Sequence, residues 1–222
     1  MTMTRQDTDV VWALHGLADS RASVRLRAAL AAGTAPDPGL VEALVERCAV
    51  EPEFFVRDML TWALTRHPVS LTLPALLREL GAQRAQARSQ ALHTLSKIGD
   101  PRGWPAITPA LLADADDEVA RSAWRAAVVL VPEGEETALA RELATQLGRG
   151  GRETQRSLSQ ALVALGEAVV PVLDAAASAG GPGARAHALA TRRLLRDPDA
   201  GFAWAIEEAK RVVALGGAPQ DG

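Results

Sequence analysis

Tyrosine is absent from this 222-residue chain, and aromatic residues make up only 4%, as five Trp and three Phe. Sheets draw on aromatic and β-branched side chains. A core built instead from Ala, Leu and Val, whose small members let helices approach closely, points to an all-α fold. There is one cysteine, Cys48, so no internal disulfide can form. In a helix it reads as a small buried apolar residue rather than a catalytic thiol. No apolar run reaches the roughly 18 residues of a membrane span. The longest, Ala123–Pro132, is interrupted by Arg125 and stopped by Pro132. Met1–Asp9 is polar and lacks the apolar centre of a signal peptide. A basic excess is missing too: the net charge is −3, so a general nucleic-acid binder is not expected. These absences give the expectation of a cytoplasmic protein without a membrane segment.

What the chain does have is an internal repeat. Val24-Arg-Leu-Arg-Ala-Ala-Leu-Ala-Ala returns as Val56-Arg-Asp-Met-Leu-Thr-Trp-Ala-Leu. It returns again from Ala87 and from Val119, and more loosely from Thr154 and Ala184. The starts are separated by 32, 31, 32, 35 and 30 residues. Four residues after each start stand Ala28, Leu60, Ala91, Ala123, Leu158 and Ala188. Eight residues after stand Ala32, Leu64, Leu95, Ala127, Leu162 and Arg192. Spacings of four and eight put these residues on one face of a helix. Further helices are expected between them, over Leu40–Cys48, Leu73–Leu80, Trp104–Leu112, Thr137–Leu147 and Val169–Ala177. Breakers such as Pro36, Pro52, Pro68, Gly99, Pro132, Gly148 and Gly180 fall between helices. Each unit is thus a helical hairpin of roughly 30 residues, which buries its apolar face only by stacking on its neighbours.

The string Val-Arg-x-x-Ala-x-x-x-Leu, followed in the third unit by Ile98-Gly99-Asp100-Pro101-Arg102, resembles HEAT repeats. It is most similar to the short kind named after phycobilisome lyases, whose period lies below the roughly 40–47 residues of longer HEAT units. The Trp, Leu-Gly and Tyr marks of tetratricopeptide units and the Thr-Pro-Leu-His of ankyrin units are missing. The resemblance, from Val10 to Leu215, implies a right-handed α-solenoid of about six HEAT-like hairpins plus a terminal helix. It implies one solenoid over residues 9–214 between flexible tails at 1–8 and 215–222, in a protein like the stand-alone HEAT-repeat proteins of bacteria, actinobacteria in particular. In HEAT families an Arg just after the start position often bonds across neighbouring units. That role is carried over to Arg25, Arg57, Arg88 and Arg185, while Ala120 and Gln155 break the row.

Few residues suggest chemistry. His15, His67, His93 and His187 fall in different units, and helices stack 8–10 Å apart, too far to converge on a metal whose ligands sit about 2 Å away. The run Asp114, Asp116, Asp117, Glu118 lacks the glycine and downstream glutamate of a calcium loop. Asp116 or Asp117 is expected to cap the helix that follows. Gly148–Gly151 lacks the Gly-Lys-Ser/Thr of a phosphate loop and reads as a turn. No catalytic residue, metal or cofactor is assigned.

One constellation stands out. In HEAT solenoids the second helix of each hairpin lines the concave face. Two and six residues after the starts stand Asp58 and Trp62, Ser89 and His93, Arg121 and Arg125, Arg156 and Gln160. Trp and Arg are enriched at binding hot spots. The sequence therefore points to a non-catalytic binding or scaffold module, with a role in regulation as an extension. Its partner is expected to be a protein segment or an acidic small ligand, held by Asp58, Trp62, His93, Arg121, Arg125, Arg156 and Gln160. The alternatives are a HEAT-like DNA glycosylase for alkylated bases, in which Asp58 and Trp62 would supply the carboxylate and aromatic, or a lyase-like HEAT protein.

Overall fold

The computed structural model describes residues 5–215 and is all-helical, with thirteen α-helices and no strand among those residues. It divides into two compact units, one up to Ile107 and one from Thr108. The first unit contains α1 (Arg5–Leu17), α2 (Ala22–Thr34), α3 (Val41–Val50), α4 (Phe54–Arg66), α5 (Val69–Glu79) and α6 (Ala85–Ile98). The second contains α7 (Pro109–Leu112), α8 (Asp117–Leu130), α9 (Glu136–Ala144), α10 (Arg152–Ala164), α11 (Val170–Ala179), α12 (Pro182–Arg196) and α13 (Phe202–Ala214). Helix α1 begins at Arg5, inside the segment read from sequence as an N-terminal tail. Residues 1–4 and 216–222, the rest of the two expected tails apart from Leu215, lie outside the described residues.

Within each unit, consecutive helices pair as antiparallel hairpins and the hairpins pack on their neighbours. In the first unit α2 packs on α4 and α4 on α6, with α1, α3 and α5 forming the other layer. In the second, α8 packs on α10 and α10 on α12, and α12 makes an extensive contact with α13. The six start positions all lie near the N-terminal ends of second helices. The residues four later are buried, at 0% (Ala28), 0% (Leu60), 3% (Ala91), 0% (Ala123), 1% (Leu158) and 0% (Ala188) exposure. Burial of such a stripe on each helix removes apolar surface from water along the whole row, the main favourable contribution to folding. Arg192, which breaks the second stripe, is half-buried and pairs with Asp174 of α11 at 2.7 Å.

Helix ends follow local chemistry. Asp116 caps α8, its carboxylate accepting from the amides of Glu118 and Val119, while Asp117 and Glu118 add negative charge in the first turn. Pro132 follows the C-terminal cap of α8, where a helix cannot readily continue. One expectation fails: Trp104–Leu112 is not a continuous helix. Pro105 and Pro109 each lack an amide hydrogen, and the segment instead forms a 3-10 turn over Pro101–Ala106 and the single-turn α7, with Pro109 at its first position and Thr108 as its cap. Trp124 of α8 is fully buried and donates its indole N–H to the Leu112 carbonyl at the end of that turn.

Among the described residues no single helix is long and apolar enough to cross a membrane.

Candidate functional site

The arginine row closes hairpin turns. Arg25 donates to the carbonyls of Asp19 and Ser20, Arg57 to those of Glu51 and Pro52, and Arg88 to those of Ala82 and Gln83. In each case the acceptors lie six and five residues earlier, in the turn of the arginine's own hairpin. Arg185 donates to the Ala177 carbonyl, eight residues back in the last turn of α11. Where the row is broken, other side chains take over. Gln155 donates to Gly148 and Gly150. Above Ala120, Arg149 of the next hairpin donates to the Asp114 carbonyl, again six residues before the broken position. Arg149 also holds Asp117 at 2.9 Å, and Asp117 accepts from Thr154.

The bond between neighbouring hairpins is made most fully by Arg25. Its guanidinium grips the buried Glu51 carboxylate with two bonds of 2.7 Å, and Arg47 adds a third of 2.7 Å. Burial pushes the Glu51 carboxyl up, but the bonds from Arg25, the Glu53 amide and Arg47 outweigh it and hold the group below its ordinary range. Gln86 of the third hairpin donates to the carbonyls of Cys48 and Glu51, so the second turn is held from both sides. Cys48 is buried and its thiol is pushed up to about 12 by that burial, which removes thiolate reactivity.

In the first unit the expected binding positions have separate surroundings. Asp58 is exposed on α4. Trp62, one helical turn on, is 39% exposed and lies against Gly33 of α2, where a methyl group would stand 2.2 Å from the indole ring. Only glycine permits that approach. His93 on α6 is half-buried, and Ser89 is buried.

In the second unit the positions converge. Arg121 and Arg125 lie one turn apart on α8, and Arg156 and Gln160 one turn apart on α10, the helix packed against it. Arg121 is largely covered and pairs with Glu118 at 2.8 Å and Glu153 at 3.6 Å. Arg125 is exposed and donates to Ser122 of its own helix. Arg156 and Gln160 are exposed and make no side-chain bond to other described residues. The equivalent positions of α12 are Ala186 and Ala190, and they are buried beneath Phe202, Ala205, Ile206 and Ala209 of α13. The terminal helix thus covers the face that α8 and α10 leave open. It reaches the start of α10, where Arg152 stands 3.7 Å from Glu207.

One polar cluster went unread in the sequence. His187 of α12 is fully buried. Its Nδ1 accepts from the Gly148 amide, and its Nε2–H donates to the Gln155 carbonyl, with Ser159 Oγ also at 3.0 Å. The Ser159 and Thr191 hydroxyls are 2.7 Å apart, and Thr191 donates to the His187 carbonyl. Burial lowers the imidazole pKa to about 4. Gly148, at φ 83°, lets this turn lie against the first turn of α12, where a methyl group would come within 2.9 Å of the Ala184 nitrogen. The visible signal was the pair His187 and Thr191, four apart on a helix. Among the described residues no group of three or more His, Cys, Asp and Glu side chains could hold a metal ion.

No protein-family model matches this chain, and no curated protein matches it either. Among solved structures, one described as an engineered protein is 20% identical, with 94% of this chain and 98% of that chain covered at a TM-score of 0.48. That likeness is too loose to bear on function.

Proposed function

We propose that this chain is a cytoplasmic HEAT-type repeat protein, built as a right-handed solenoid of about six hairpins, that works as a non-catalytic binding module. Three features support the repeat reading: successive second helices pack within each unit, a buried stripe recurs at matching positions, and a side chain repeatedly closes the turn before it. The observation that carries the functional reading is the open face of α8 and α10. Arg125, Arg156 and Gln160 are exposed there on adjacent helices, and Arg156 makes no ion pair with the described residues.

An exposed guanidinium offers a planar fork that holds a carboxylate with two bonds. The partner proposed is a carboxylate-bearing segment of another protein. Glu118 and Glu153 occupy Arg121, so Arg125 and Arg156 are the first points of contact. The test is fluorescence anisotropy with a labelled glutamate-rich dodecapeptide and a lysine-rich control. The full chain should bind the acidic peptide, and Arg125→Ala/Arg156→Ala should weaken it by about tenfold. Equal binding by wild type and variant, both folded by circular dichroism, would remove the site.

A further inference from the structure

The second helices of the first unit lie side by side, with α4 between α2 and α6. On α4, Asp58, Trp62 and Arg66 stand in one line, each a turn beyond the last, and all three are exposed. The order along the helix is carboxylate, indole, guanidinium. Phe55, 75% exposed, extends the line by a further turn at its N-terminal end. Beside Trp62 the flanking helices carry Leu30, 46% exposed, and the half-buried His93. Elsewhere in this unit exposed arginines pair readily: Arg21 with Asp19, Arg78 with Glu42, Arg102 with Asp100. Asp58 and Arg66 do not. Eight residues separate them by about 12 Å along the helix axis, and neither makes a hydrogen bond or ion pair with other described residues.

A line that runs from one charge through an aromatic ring to the opposite charge is its own complement when reversed. Asp58 and Arg66 each lie four residues from Trp62. A two-fold axis through Trp62 therefore sets each Asp58 against Arg66 of the second copy, and one indole against the other. Trp62 is already held against Gly33, so little side-chain freedom remains to be lost on association. We propose that α4 is the centre of an antiparallel, two-fold interface between two copies of this chain.

The bulkiest exposed side chains, Phe55, Trp62 and Arg66, are on the middle helix, so α4 leads the contact and α2 meets α6 of the second copy on either side. Helices of 13 and 14 residues are about 20 Å long, and three of them side by side make a face roughly 25 Å wide. The projected area, about 500 Å2 before side-chain relief is counted, approaches the roughly 600 Å2 per partner of the smaller specific interfaces. The dimer is accordingly a weak one, in the micromolar range. Apolar contact at Trp62 supplies most of the affinity, because exposed ion pairs contribute little. The charges set the orientation: a parallel arrangement would place Asp58 on Asp58 and Arg66 on Arg66. A helix of another protein would need basic, apolar and acidic residues in the matching order, whereas a second copy has them by symmetry. No side chain of the arginine face on α8 and α10 takes part.

The experiment is sedimentation equilibrium of the full chain from about 1 to 300 μM. Wild type should pass from monomer to dimer across that range. Asp58→Arg and Arg66→Asp each place two like-charge pairs in the interface, and each should weaken dimerisation at least about tenfold. Both positions are exposed and unpaired among the described residues, so folding should be unaffected, which circular dichroism checks. The double variant Asp58→Arg/Arg66→Asp restores opposite charges and should dimerise like wild type. The two single variants, mixed, should form a heterodimer tighter than either homodimer. Arg125→Ala/Arg156→Ala should leave dimerisation unchanged, which keeps this test separate from that of the acidic partner. The proposal is overturned by a wild type that is monomeric throughout, or by an open-ended series of oligomers in place of a dimer. It is equally overturned by a dimer indifferent to the single reversals, or by a double variant as weak as the single ones.

Discussion

Lowering the pH from 7 to 4.5 should loosen the second unit through one residue, His187. The imidazole is fully buried, and all its hydrogen-bond partners are neutral. Its Nδ1 accepts from the Gly148 amide, so a proton on Nδ1 would set two N–H groups against each other. Burial disfavours the charged form, and although the bond to the Gln155 carbonyl opposes this, the pKa falls from 6.5 to about 4. In the unfolded chain the group titrates near its ordinary value, about 6.5. The folded-state pKa is thus depressed, and the neutral ring's contribution is fully present above the unfolded value. As pH falls between those two values the unfolded state takes up a proton that the folded state refuses. Stability then drops by about 1.4 kcal/mol per pH unit, or about 3 kcal/mol over the whole window. Carboxylates titrate mostly below it. Hydrogen exchange measured on α10 and α12 at several pH values, for wild type and His187→Gln, isolates the effect. Protection should fall steeply in the wild type and shallowly in the variant. A wild-type loss below about 1 kcal/mol by pH 4.5, or an equal loss in both proteins, would rule out His187 as the source of the pH dependence.

Two further perturbations probe the first unit. Glu51→Ala strips the buried Arg25 of its carboxylate and leaves an uncompensated charge, so urea melts should show a loss of about 3 kcal/mol, the lower end of the range for a broken buried pair because Arg25 keeps its two turn carbonyls. Leu60→Ala opens a cavity at a position with 0% exposure and should cost roughly 2–5 kcal/mol; a loss below about 0.5 kcal/mol would mean that Leu60 is not a core residue.

The buried stripe was legible because burial on a helix is a local periodicity. Leu60 and Leu64 announce themselves by spacing alone, as do Ala123 and Ala127. The Asp116 cap was legible for the same reason, since it depends on residues two and three positions away. The arginine row was visible, and Arg25 does bond to the neighbouring hairpin as expected, but the row's turn-closing task was not legible. Whether Arg57 meets its own turn or the next hairpin depends on how the chain bends at Glu51 and Pro52, and no periodicity encodes that bend. Glu51 passed unnoticed because its partner Arg25 lies 26 residues away. Arg149 passed unnoticed because it serves a position in another hairpin. In the sequence alone His187 bears on metal binding and nothing more. Its network needs a backbone amide from one turn and hydroxyls from two helices, a convergence that only packing creates.

Packing also sorts the positions two and six residues after each start. They share a register, yet the fold gives them different fates. Trp62 rests on Gly33, Ser89 is buried, and Arg121 is tied to Glu118. Ala186 and Ala190 lie under α13. Their identities anticipate these fates: two alanines suit a covered helix crossing, and long polar side chains suit an open one. Asp58 stands exposed by itself on α4, and Arg125, Arg156 and Gln160 form the stretch on adjacent helices that is both polar and uncovered. A conserved-looking register therefore does not make a uniform binding surface. Recognition by such a face is decided by which neighbours leave a position open, and in the second unit α13 sets that boundary. Shortening the chain before Phe202 would expose Ala186 and Ala190 as an apolar strip and extend the open face from arginines onto alanines. If the truncated protein stays folded, it should gain affinity for amphipathic helices while binding acidic peptides as before. A truncation that abolished acidic-peptide binding while α8 and α10 kept their hydrogen-exchange protection would show instead that α13 is itself part of the recognition surface.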